Sequence, residues 1–582
     1  MATKEEVLEF SEAHHRPVLS ASSESTSAPT TGVNEEKQDS HDAIEFLTTR
    51  EEVNTGAEVH NGNEQSPFTY LKGWRLHLLT TALCLCMILS TVETTIISTS
   101  IVSITDALTG FQKGSWIVAA YLVTYTGFLM VLAKFSDNFG RKPLIMFSVL
   151  FFTIFSGACG ASQTLLQLIV FRAFQGIGGG GIYTMIFVIA GEMVPQDHYA
   201  SLAATLSSAY ALSAVLGPLL GGLINENTTW RWVFLLNVPA GFVGFVMLAI
   251  TIPSGFPYGS KKSDRVSVNA ALRAARQVDF LGAFFQLAAS MLLVTALEEG
   301  GTRYSWRSPA TLSILLISMV FWVVFVLWES ILDGRGSTQE AVLPWRLVQN
   351  RFFMACLLNT LFVGAVFITV VITLPQRFQV VNQTTPFGAG WRILPFMICA
   401  PFASAFAGYL IQKLKIPPFY VLLVAAILQT IGLALMSTVP TSKASVPRAQ
   451  YGYEAVLGLG TGLSLSSVIL AAPAIIDPKD SAVSMGAIAQ ARALGGSVGL
   501  AVCSNVLNAK IKSASHFLSP GQLSSLLESA ETIKTLPPDL QYAVRQTYAA
   551  GCNQQMQVLI AFSGATILAT FLMWEKKPRR VP

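Results

Sequence analysis

The stretch "AKFSDNFGRKP", residues 133–143, separates two long apolar runs with an acid, a glycine and two adjacent cations. A basic anchor at a membrane edge needs only Arg141 or Lys142. Gly140 adds a position where the backbone can reverse sharply. Asp137 is placed to cap the helix that follows or to pair with a guanidinium. The loop therefore reads as a tight connection between two apolar helices.

The rest of the chain repeats this alternation. Of 582 residues, 52% are hydrophobic and only 12% charged, a balance that points to an all-α polytopic membrane protein. A spanning helix needs about 20 mostly apolar residues, and runs of that kind number about fourteen. Six lie before residue 252, two between about 278 and 332, and six from about 352 onward, the last at about 556–574. The basic segment 253–277 divides the first six from the rest. The expected domains are a six-helix bundle over 71–252, a basic linker with two additional helices over 253–350, and a second six-helix bundle over 351–582 with a long outer loop at 508–555. Lys and Arg are retained on the cytoplasmic side. Lys134, Arg141, Lys142, Lys261, Lys262, Arg265 and the terminal "EKKPRR" then put both ends of the chain inside.

Residues 1–70 are rich in Glu, Ser, Thr and Asn with few large apolar side chains, so a disordered cytoplasmic tail is expected. No basic segment followed by a short apolar core opens the chain, and the first spanning helix is expected to act as the targeting signal. A net charge of +4, dispersed over helix ends, gives no nucleic-acid footprint. Six of the seven cysteines fall in apolar runs, which implies no disulfide framework. Cys84 and Cys86 are two apart on a helix, point to nearly opposite sides and cannot share a metal. Asn227 and Asn382 open N-x-[ST] sequons in loops assigned outside, where glycosylation is expected.

Further motifs lie inside the helices. "FRAFQGIGGGG", residues 171–181, carries Arg172 and Gln175, and its glycines Gly176, Gly178 and Gly181 also fit G-x-G-x-x-G. No strand precedes them, so close helix packing explains them better than a dinucleotide site. Packing does not explain Arg172, since a charge within a span costs about 2.5 to 3.5 kcal/mol on insertion scales. "SAVLGPLLGGL", residues 213–223, places Gly217, Pro218, Gly221 and Gly222 where a helix can bend and a neighbour approach. "ARALGGSVG", residues 491–499, adds Arg492.

Together these segments resemble the major facilitator superfamily. "AKFSDNFGRKP" is similar to its loop signature G-x-L-a-D-r-x-G-r-k, with Ala133, Phe135 and Asn138 departing from it. Arg172, Gln175 and Gly176 match R-x-x-q-G. Gly217, Pro218, Gly221 and Gly222 match the antiporter motif g-x-x-x-G-P-x-x-G-G, with Ser213 in place of its first glycine. "GYLIQKLKIPP", residues 408–418, is a weaker second copy of the loop, as parallel halves would give. The resemblance is greatest to the fourteen-helix drug:proton antiporter branch and to fungal toxin and secondary-metabolite efflux pumps. It implies two six-helix bundles plus two extra helices, with Asp137, Gly140, Arg141 and Lys142 as a gating loop. It also implies proton-coupled export of a small, largely apolar organic compound by alternating access, with no cofactor beyond the proton gradient. A monomer in the lipid bilayer of the plasma membrane is expected, with the vacuolar membrane as the alternative.

The energy source rests on "TVETTIISTSIVSI", residues 91–104, where Glu93 lies in an apolar run. Ser90, Glu93 and Ser100 share one face of the first helix. Glu93 and Arg172 differ in depth by roughly 6 Å at 1.5 Å per residue, within reach of two long side chains. Burial and a nearby cation act oppositely on proton affinity, so Glu93 with Arg172 is the expected proton-coupling pair, and Gln175 and Arg492 are further polar groups for a cavity. Glu454 and Glu329 lie near helix ends, where their side chains are expected to reach the interface, and Asp106 is expected at the outer surface. An importer such as a siderophore carrier is the main rival. A membrane enzyme would need clustered nucleophiles or metal ligands, which the scattered histidines do not provide, and a receptor or channel would not need matched halves.

Overall fold

A chain in lipid must satisfy its backbone N–H and C=O groups internally, which a helix does within one segment. The computed structural model describes residues 71 to 579 without 72, 254–255, 257–278, 302–303, 335–341, 442–444, 473–475, 477–480, 517 and 577. The expected tail, 1–70, and all but residues 253 and 256 of the basic segment 253–277 lie outside the described residues.

Fourteen long helical units succeed one another: α1 (Trp74–Leu108), α2 (Gly114–Phe139), α3 (Arg141–Ala161), α4 (Leu165–Met193), α5 (Gln196–Asn227), α6 (Arg231–Thr251), α7 (Phe280–Glu299), α8 (Pro309–Gly334), α9 (Arg351–Val380), α10 (Pro386–Gln412), α11 (Pro418–Ser437), α12 (Arg448–Ala471), α13 (Ser481–Lys512) and α14 (Pro538–Phe571). No strand forms among the described residues. Two units are jointed, α6 at Leu236 and α10 at Ile393. Among the described residues, twelve of the helices are long and apolar enough to cross a membrane, and α2 and α14 are not in that set. The expected fourteen spans are thus twelve by this measure. α14 falls short because Gln554, Gln555 and Gln557 interrupt the start of its apolar stretch.

The helices pack in one repeated pattern. In the first half α1 packs on α5 and α6, α2 on α4, and α3 on α4 and α6. In the second half α9 packs on α13 and α14, α10 on α12, and α11 on α12 and α14. Each pairing has its counterpart six helices on, once α7 and α8 are set aside. The halves meet through α1 with α9, α2 with α13, and α5 with α10. α7 and α8 pack together, with α7 against α2 and α13. The result is two six-helix bundles plus two extra helices.

The stretch 508–555, expected as a loop, is largely helical. α13 continues to Lys512, a 3-10 turn covers Ser513–His516, a short helix covers Pro520–Glu528, and α14 begins at Pro538. Ser519 and Gln522 form a reciprocal capping box at the short helix. Leu526, Leu527, Ile533 and Leu536 pack with Val544 and Tyr548, and with Val102 and Phe111 of the first half. A hydropathy scan misses these helices because they are amphipathic and bury only one side.

Candidate translocation site

Glu93 and Arg172 meet. Both are fully buried, at 0% exposure, and the Arg172 guanidinium donates through Nη1 to Glu93 Oε1. The other carboxylate oxygen, Oε2, accepts from the Asn237 amide. Arg172 Nη1 also donates to Gln175 Oε1 at 2.7 Å, and Nε donates to the Ile117 carbonyl at 3.0 Å. Gln175 in turn donates to Ser156 Oγ at 2.7 Å. The guanidinium lies 4.3 Å from the centroid of the Tyr121 ring and 5.7 Å from that of Phe234. Five helices, α1, α2, α3, α4 and α6, therefore converge on one ion pair.

Local sequence explains how the pair is assembled. α4 comes close to its neighbours because its glycines carry no side chain. A Cβ on Gly178 would stand 2.6 Å from the Phe152 backbone nitrogen, closer than real Cβ atoms come. The joint at Leu236 makes Asn237 the first residue of a new helical segment, and Asn237 is 2% exposed. Sequence reasoning missed Asn237, Ser156 and Tyr121. The signal for Asn237 was present, a lone amide within the apolar "WRWVFLLNVPAG".

The polar face expected on α1 divides. Ser90 Oγ donates to the Gly179 carbonyl on α4 at 3.4 Å. Ser100 instead accepts from Asn225 Nδ2 on α5 at 2.6 Å and donates to its own helix at Ile96.

At the loop between α2 and α3, Gly140 turns the chain with φ 91°. Arg141 forms an ion pair with Glu192 of α4 at 2.6 Å and donates to Ser136 Oγ at 2.6 Å. Lys142 Nζ donates to the carbonyls of Ala249 and Ile252 at 2.7 and 2.6 Å, tying the loop to the end of α6. The Asp137 side chain lies outside the described residues. Glu192 was not singled out from the sequence, since an acid near a helix end carries no distinctive pattern.

The motif on α5 sits where three helices touch. Gly217 and Gly221 abut Thr95, Ile96 and Thr99 of α1, and Thr99 donates to the Pro218 carbonyl at 3.2 Å. Gly222 faces the start of α10, where an added Cβ would stand 2.6 Å from Phe387 Cα. The motif thus joins the two halves at the end of the bundle that carries Gly110, opposite the Gly140 loop. Other links gather at that end. Gln379 donates to the Thr99 carbonyl at 3.0 Å, the Gly110 N–H to the Glu528 carbonyl at 2.9 Å, and Ser529 Oγ to Asp106 at 2.6 Å. Asp106, expected at the surface, is half-buried under this segment.

Arg492 lies on α13 between the halves, half-buried and 6.0 Å from the centroid of the Tyr210 ring of α5. Asn227 is exposed at the end of α5, and Asn382 is half-buried after α9. Glu454 and Glu329 do not reach an interface as expected. Glu454 is 0% and Glu329 2% exposed, because each points inward from its helix, and Glu454 Oε1 accepts from Gln450 at 3.3 Å.

Two similarly packed six-helix halves, the first of them enclosing a buried ion pair, define a polytopic helical membrane protein. Residues 83–500 match the Major Facilitator Superfamily, and the chain belongs to that family. It is 46% identical over 551 residues to MFS-type transporter FPY5 of Fusarium mangiferae, covering 94% of this chain and 91% of that protein. It is 28% identical to Efflux pump roqT of Penicillium rubens, covering 87% of this chain and 92% of that protein. Among solved structures it resembles a bacterial homolog of the human lysosomal transporter Spinster in an inward-facing, unoccupied conformation. The TM-score is 0.58 at 16% identity, covering 87% of this chain and all of that one, a likeness of fold. The chain is a transporter and not an enzyme, and it is a multi-pass membrane protein similar to fungal efflux pumps.

Proposed function

We propose that this protein exports a small, largely apolar organic compound in exchange for protons, with Glu93 as the proton carrier. The observation that carries this reading is the fully buried Glu93, held by Arg172 and Asn237. Ionised, the carboxylate pairs with the guanidinium. Protonated, it releases Arg172, which keeps Gln175, the Ile117 carbonyl and the Tyr121 ring as partners. The cation is therefore supported in both states, and the movement of one proton is linked to a rearrangement among α1, α4 and α6. One proton crossing 100 mV contributes about 2.3 kcal/mol, enough for a gradient of roughly fiftyfold.

The direction of transport draws on the glycine-proline motif of α5 and on relatives named as efflux pumps. Placing the Gly110 end outside, as the basic loops favour, makes the structure a state closed to the outside, with both termini cytoplasmic and the sequons external. The plasma membrane is the natural site for export from the cell. A Glu93→Gln protein reconstituted in vesicles is expected to lose uphill, protonophore-sensitive transport while still exchanging solute down its gradient. Uphill transport by the folded variant would overturn the role of Glu93. Whole-cell content of the solute, lowered by an exporter and raised by an importer, decides the direction.

A further inference from the structure

A second cation within the helices has a different setting from the first. Arg172 has a carboxylate partner, whereas Arg492 has aromatic rings. Its guanidinium lies 6.0 Å from the centroid of the Tyr210 ring of α5, with Tyr183 of α4 and Tyr125 of α2 within electrostatic reach. Among the described residues no carboxylate pairs with it. All three tyrosines come from the first half, and the arginine comes from the second.

The protein leaves these side chains partly uncovered. Arg492, Tyr183 and Tyr210 are each half-buried, although Ile182, Ala209, Ala491 and Ala493 beside them in sequence are buried. The rings continue toward the ion pair. Tyr183 lies 6.0 Å from Tyr125, Tyr125 stacks on Tyr121 at 5.7 Å, and Tyr121 lies under Arg172 at 4.3 Å.

We propose that Arg492 and the tyrosines around it bind the anionic group of the transported solute, an organic oxyanion with an aromatic or apolar body. A cation within a span is stable only if its charge is answered, and the face of the Tyr210 ring answers it in part. A carboxylate supplies the missing countercharge through a bidentate, charge-assisted hydrogen bond, and the rings present apolar faces on which a planar body stacks. Because the site is shared between the halves, occupancy draws α13 toward α4 and α5. This inference rests on the reading that solute passes between the halves, but not on its direction or energy source.

The test is equilibrium binding to the purified full-length protein in lipid nanodiscs without a proton gradient. The probes are 9-anthracenecarboxylate and its neutral amide, 9-anthracenecarboxamide, read by fluorescence anisotropy. The wild-type protein is expected to bind the carboxylate at least about tenfold more tightly than the amide, as a charge-assisted bidentate contact requires. Arg492→Gln is expected to bring the two probes to within about twofold of each other by removing that contact. Tyr210→Phe keeps the ring and the preference, while Tyr210→Ala weakens both probes alike. A wild-type protein without the preference, including one that binds neither probe, overturns the proposal, as does a folded Arg492→Gln protein that retains it. Should the glutamine variant not purify, Arg492→Lys replaces the fork by a point charge and is expected to weaken only the carboxylate; unchanged binding of both probes overturns the proposal. A preserved anion preference without proton-driven flux would refute the export reading and leave this site standing. Proton-driven flux without the preference would do the reverse.

Discussion

At the scale of single residues, what separates Glu93 from the other polar groups of α1 is that its needs cannot be met locally. Thr94, Ser98, Ser100 and Thr105 each donate to a carbonyl three or four residues back in their own helix, so hydroxyls sit in a span at little expense. A carboxylate has no proton to give in that way when ionised and must find donors on other helices. This is why Glu93 was legible as a functional residue while Ser90 and Ser100 were poor guides to a common cavity. Removing one partner of a buried ion pair leaves the other unpaired, at about 3–5 kcal/mol. Arg172→Leu alone is therefore expected to lower the thermal unfolding temperature in detergent sharply, and the double variant Arg172→Leu with Glu93→Leu to recover most of the loss. A double variant no more stable than the single one would show that the pair does not act as a unit.

At the scale of elements, the glycines set how near two helices come, and apolar surface area counts for less in lipid than contact distance does. Gly222 touches the start of α10 without space for a methyl group. Gly222→Val is expected to overpack this contact by about 1–3 kcal/mol and to favour the state in which the Gly110 end is open. A cysteine placed at Thr384, in a background without the native cysteines, should then react faster with a membrane-impermeant maleimide than it does with Gly222 intact. An unchanged rate would mean that α5 and α10 do not gate this end. The motif was readable from sequence as a site of close approach, but its partner was not, since the contact joins residues more than 160 positions apart.

At the scale of the whole molecule, the segment between α13 and α14 connects the halves. The short helix Pro520–Glu528 and the 3-10 turn Ala530–Thr535 after it flank Ser529, and Glu528 and Ser529 lie over the Gly110 end, bonded to Gly110 and Asp106. If the halves rock apart during each cycle, these bonds must break. Cysteines introduced together at Asp106 and Ser529 are expected to form a disulfide under oxidation that stops transport, with activity restored by reductant. Transport that continues in the cross-linked protein would show that this segment moves with the first half.

The sequence by itself determined that the chain is a helical membrane protein in two halves with an additional helix pair. Runs of apolar residues about twenty long, with cations between them, have few other physical solutions. It also singled out Glu93, Arg172 and Gln175, because charge and amide groups inside such runs need a reason that packing does not supply. Only the tertiary structure decided who partners whom. Asn237 completes the carboxylate, Glu192 holds Arg141, the 508–555 stretch folds over one end, and Arg492 faces Tyr210 of the opposite half. Each of those contacts depends on which faces of distant helices are brought together, and that information is carried by packing between segments and not by the local pattern of any one of them.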